Sequence, residues 1–212
     1  MSFATWIAFF VAACIIAVSP GSGAVLSMSH GLSYGVRRAS ATIFGLQTGL
    51  LLVFFIAGAG VGSLLMASEV AFNIVKTVGA LYLIYLGFSQ WRAKVHISEA
   101  QQAAVAVPPA RRRFLTGFLT NATNPKGIIF MVAVLPQFIT HKAPLLPQLL
   151  ILAVTMCCID LVVMHSYAFL ASSMQRFFRD ARAVKKQNRV FGGLLMAVGA
   201  ALFFVKRGGA AA

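Results

Sequence analysis

Acidic residues are scarce in this 212-residue chain: four Asp and Glu stand against eighteen Lys and Arg, and all charged residues together make 10%. A metal-ion permease wants several carboxylate, His or Cys ligands at membrane depth, and the apolar runs here hold a single acid, Asp160. Cysteine is also sparse. Cys14, Cys157 and Cys158 show neither a disulfide framework nor metal-ligand spacing, and the last two, adjacent on one helix, point about 100° apart. They read as small core side chains. No H-E-x-x-H or G-x-S-x-G motif occurs, so a membrane-embedded hydrolase lacks a nucleophile with its base, and the chain reads as no enzyme. The opening "MSFATWIAFFVAACII" carries no Lys or Arg before its apolar run, whereas a secretory signal needs a basic start. It is expected to be a retained first span.

Apolar sequence, by contrast, is abundant. Hydrophobic residues make 59% of the chain, and mean hydropathy is +0.86. Residues 39–68 carry no charge, 114–140 carry only Lys126, and 143–175 carry Asp160 with His165. A span takes about 20 apolar residues. Six helices are therefore expected, at roughly 3–26, 39–66, 70–90, 114–138, 146–171 and 189–206. The fold class is an all-α membrane protein with one transmembrane domain over residues 1–212 and no room for a soluble domain.

Net charge +14 raises the question of nucleic acid, but its distribution points to membrane topology. Arg37, Arg38, Arg92, Lys94, Arg111, Arg112, Arg113, Arg176, Arg179, Arg182, Lys185, Lys186 and Arg189 fall in loops on one side of the six-helix arrangement. Lys76, Lys142, Lys206 and Arg207 fall on the other. By the positive-inside rule the first group is cytoplasmic and both termini are extracytoplasmic. The basic stretch "RFFRDARAVKKQNR" also suits anionic membrane lipid, and no nucleic-acid partner is expected.

The longest polar segment, residues 92–113, reads as a linker between repeat one (about 1–91) and repeat two (about 114–208). Three spans per half force the halves into inverted orientations. The halves correspond weakly: Pro20 and Pro125 each precede the next helix by about 20 residues, and "KTVGALYL" from Lys76 parallels "RVFGGLLM" from Arg189. Interrupted segments at matching positions of two halves are the best sequence pointer to a transporter's binding site. Gly45 with Gly49, and Gly58 with Gly62, have the four-residue spacing that lets backbones approach closely, within the chain or across a homodimer. Gln47, on the same helix, is expected to make an interhelical hydrogen bond, and His165 a packing contact.

Helices 1 and 4 are expected to be broken at Pro20 and Pro125. Proline lacks the N–H and clashes with the carbonyl four residues earlier, that of Ile16 or Asn121. The preceding residues, Ser19 and Asn124, are strong N-cap types, with proline then at the first helical position. Gly21 and Gly23 loosen the first break. Fresh helix starts suit an anion such as a carboxylate, and Lys126 adds a full positive charge. Asp160 is the counterpart, able to accept a substrate ammonium group or carry a proton, or else to form a permanent ion pair with Lys126. Substrate-binding candidates are thus Ser19, Pro20, Gly21, Asn121, Asn124, Pro125, Lys126 and Asp160, with Asp160 also the coupling-ion candidate. No cofactor or metal is expected.

At these residues the sequence resembles the LysE/RhtB family of amino-acid exporters. The resemblance is carried by "SPGSGAVLSMSHGLSYGVRRA", "VGALYLIYLGF", "GFLTNATNPKGIIFMVAVLPQF" and the aspartate of span 5. It implies six spans in two repeats, a bacterial cytoplasmic-membrane location and proton-driven export of an amino acid or derivative. The family pattern has Pro-Gly-Pro at the first break, where this chain has Ser22 in place of the second proline. A metal-ion or small-cation permease is the alternative reading. So is a thiol electron carrier such as distant relatives of the fold, although those place a cysteine beside each proline, where this chain has Gly21 and Lys126.

Overall fold

A computed structural model of the chain describes residues 1–66, 69–92, 107–140, 143–173 and 181–204. Most of the linker (93–106) and the charged positions Lys142, Arg176, Arg179, Lys206 and Arg207 lie outside the described residues. The described elements are α1 (Phe3–Val18), α2 (Ser22–Tyr34), α3 (Val36–Met66), α4 (Glu69–Arg92), α5 (Ala110–Ala122), α6 (Pro125–Val134) with a 3₁₀ turn at Leu135–Phe138, α7 (Leu145–Ser173) and α8 (Ala181–Phe204). Among the described residues, two helices are alone long and apolar enough to cross a membrane, Val36–Gly60 and Leu145–Ser173. Two bent pairs also qualify when each is taken as one span: Phe3–Val18 with Ser22–Tyr34, bent by 55°, and Ala110–Ala122 with Pro125–Phe138, bent by 49°.

Local chemistry explains the boundaries. α1 starts where the Ser2 hydroxyl accepts from Thr5 N at 3.1 Å. It buries Phe9, Ala13, Ile16 and Ala17 on one helical stripe and exposes Phe3, Ile7 and Val11 on the other. Gly35, at φ 76°, turns α2 into α3 without a β-carbon penalty. α5 begins at Ala110, before the expected start at 114, because the chain already winds from Pro109. There Arg113 is buried, donating Nε to Pro108 O at 3.0 Å and Nη1 to Arg38 O. Likewise α8 takes in the basic run from Arg182 to Arg189 that was expected as loop. Lys and Arg are good helix formers, so charge did not end the helix.

The glycines set which helices meet. A β-carbon on Gly45 would run into Phe114 O, and one on Gly117 into Thr42 O, so α3 and α5 lie backbone to backbone within the chain. Gly87 and Gly192 do the same for α4 and α8, a β-carbon on either falling 2.5 Å from the other's carbonyl oxygen. α2 packs on α7, with Gly31 against the Ala168 backbone. Two buried apolar clusters result. One gathers Phe9, Leu50, Phe54, Phe130, Leu149 and Leu152 around α1, α3, α6 and α7. The other gathers Ala24, Ile43, Leu46, Met164 and Tyr167 around α2, α3 and α7.

Candidate functional site

Both breaks open between these clusters, and they are built differently. At the second, Asn124 accepts from Lys126 N at 3.1 Å through its side chain, and Pro125 occupies the first turn of α6. That is the expected cap. At the first, the expectation fails: Ser19 ends α1 as its C-cap, and Gly21, with φ −152° and ψ −168°, precedes α2 with no side-chain cap. The reason is tertiary. Proline 20 cannot donate back into α1, and the carbonyls at the end of that helix find donors on other helices. Tyr167 OH donates to Val18 O at 2.7 Å, and Lys126 Nζ donates to Ser19 O at 2.6 Å. An ammonium at a helix C-terminus also meets the negative end of its dipole.

A cavity lies at the junction, lined by Ser19, Gly21, Gly23 and Ala24 from the first break, Asn121, Asn124, Lys126 and Gly127 from the second, and Asp160 from α7. Ile16, Leu46, Leu50, Met156 and Met164 supply apolar wall. It offers about 50 Å³ to water centres, room for a few waters at roughly 10–15 Å³ each. The first turns of α2 and α6 both border it, so two helix N-termini and one ammonium surround one small space.

Asp160 is 7% exposed and Gln47 3%. The Gln47 amide Nε2 donates to Asp160 Oδ2, and Gln47 Oε1 accepts from the Cys157 thiol at 3.4 Å. This is the interhelical bond expected of Gln47, joining α3 to α7. Lys126 and Asp160 share the cavity wall but make no ion pair within 4.0 Å. Each charge is held by a different partner, the ammonium by a backbone carbonyl and the carboxylate by an amide.

Six of the eight candidate residues thus line one cavity. Pro20 and Pro125 do not line it; they create the breaks that do. Asn121 also ties α5 to α3, donating Nδ2 to Leu46 O at 2.8 Å. His165 bonds Ser40 Oγ at 3.2 Å and Leu161 O at 2.9 Å, outside the cavity wall, as a packing histidine does. Tyr167, Met156 and Met164 were missed, although a signal for them exists. They stand seven residues after, four before and four after Asp160, hence on its face of the helix. Among the described residues no three His, Cys, Asp or Glu side chains are grouped to hold a metal ion.

The LysE type translocator model matches residues 14–206. The chain is 41% identical over 202 residues to a homoserine/homoserine lactone efflux protein of Salmonella typhi, covering 95% of this chain and 97% of the relative. It is 37% identical over 206 residues to an uncharacterized membrane protein of Vibrio cholerae, covering 97% and 100%. A leucine efflux protein of Enterobacter sp. is 30% identical over 189 residues, covering 88% and 89%. No solved structure matches.

Proposed function

Because the chain belongs to the LysE type translocator family, we propose that it exports a zwitterionic amino acid or amino-acid derivative through the cavity between its two helix breaks, coupled to protons at Asp160. The observation that carries this reading is that the two charges line one cavity without forming an ion pair with each other. Lys126 and the starts of α2 and α6 border one part of the cavity wall, and Asp160 adds the single carboxylate. A carboxylate placed against the first group meets a positive charge, the uncapped start of α2 and the positive end of the α6 dipole. The ammonium of the same molecule then meets Asp160. Lys126 has three N–H donors and spends one on Ser19 O, which leaves donors for the substrate. The amino-acid efflux names of two relatives agree with this chemistry.

The reading includes six spans in two inverted repeats within the bacterial cytoplasmic membrane, with both termini extracytoplasmic. The helix pairing supports it. The broken pair of the first half meets α7 of the second, the broken pair of the second half meets α3 of the first, and α4 meets α8. An in-plane two-fold axis produces this exchange of partners. On this reading Arg37, Arg38, Arg111 and Arg112 face the cytoplasm, where anionic lipid accommodates them.

The test is a dipeptide-feeding panel in cells with and without the gene. The supplied amino acid should accumulate inside only cells lacking it. Equal accumulation in both strains for every member of the panel would contradict the reading.

A further inference from the structure

We propose that Gln47 is a positioning residue that fixes the charge class of the substrate, restricting it to zwitterions with an uncharged side chain. The inference rests on the exporter reading and deepens it. Gln47 does not line the cavity; it stands behind Asp160 and donates to Oδ2. Among the described residues no other hydrogen bond reaches that carboxylate, so Oδ1 is the oxygen left for the cavity. The amide is itself oriented, because the Cys157 thiol donates to its Oε1 and turns the NH₂ toward Asp160.

Two consequences follow from the amide being neutral. The site keeps one negative charge, matched to one ammonium, with Lys126 matched to one carboxylate. A second cationic group on the substrate would find no second carboxylate: the rest of the wall is apolar (Ile16, Leu46, Leu50, Met156, Met164) or neutral polar (Ser19, Asn121, Asn124), and neither kind neutralises a full charge. A carboxylate in place of the Gln47 amide would change this. Two adjacent carboxylates share a proton, and a second cation can displace that proton and be held.

The experiment uses purified full-length protein in proteoliposomes loaded with radiolabelled leucine or lysine, with rates taken per inserted molecule. Wild type should prefer leucine by roughly 100-fold, the factor that the insertion cost of one unpaired charge corresponds to. Gln47→Glu should cut that preference by about tenfold or more, through gained lysine export. Gln47→Leu removes the donor without adding charge, so it should raise the KM for leucine and keep the preference. Wild type exporting lysine as fast as leucine overturns the proposal, and that arm stands even if Gln47→Glu fails to insert. An inserted Gln47→Glu with the wild-type preference also overturns it, as does Gln47→Leu with an unchanged leucine KM. Wild type that exports neither these two solutes nor any amino acid of the dipeptide panel overturns the exporter reading itself, an outcome distinct from these.

Discussion

Replacing Lys126 by Met and Asp160 by Asn, singly and together, separates a working pair of charges from a structural one. Lys126→Met removes the 2.6 Å bond to Ser19 O and leaves that carbonyl without its ammonium donor. Hydrogen bonds to charged groups are worth about 1.5–3 kcal/mol. At about 2–4 °C per kcal/mol for a chain of this size, the melting temperature should fall by roughly 3–12 °C. Asp160→Asn keeps an oxygen that Gln47 can donate to, so it gives up only the charge assistance, about 1 kcal/mol. Since the two side chains have different partners, the double variant should be no more stable than the weaker single. A structural ion pair behaves in the opposite way: each single strands a charge at about 3–5 kcal/mol, and the double recovers. Thermal melts of purified protein followed by size exclusion read the stability, and export per inserted molecule reads the function. Both singles and the double should be inactive. A double variant that melts above both singles and exports would refute the reasoning.

Gly45→Ala should cost about 1–3 kcal/mol, because its β-carbon meets Phe114 O and forces α3 from α5; an unchanged melting temperature would contradict the close packing. Asn124→Ala removes the acceptor for Lys126 N and should cost about 1 kcal/mol. It should also raise the substrate KM as the start of α6 frays, which uptake-competition assays would read. Reporter fusions near Arg112 and Lys185 should behave as cytoplasmic and those at the C-terminus as extracytoplasmic; a cytoplasmic C-terminus would contradict the six-span count.

Much of the site could be read from sequence because its causes are local. A proline inside an apolar run breaks a helix wherever it stands, and an Asn before it caps the new start, so Asn124, Pro125 and the bend after Ala122 follow from neighbours alone. Ser19 precedes its proline in the same way and yet ends a helix instead of starting one. The difference lies in Lys126 and Tyr167, which are 107 and 149 residues away from the carbonyls they hold. Periodicity carries no information at that range. The same limit applies to Asp160: its burial on an interior face was expected from the cost of a charge in lipid, whereas its partner came from another helix. Met156, Met164 and Tyr167 were a different case. Helical spacing around Asp160 already put them on its face, and only their apolar or aromatic character hid them among other core residues.

Outward movement of an amino acid through this cavity is measurable as efflux from proteoliposomes that contain only the purified protein. Vesicles loaded with radiolabelled leucine or homoserine should release it saturably, faster with an imposed proton gradient, and not when the protein is the Asp160→Asn variant. Release no faster than from protein-free vesicles, or equal release by wild type and Asp160→Asn, would contradict the account.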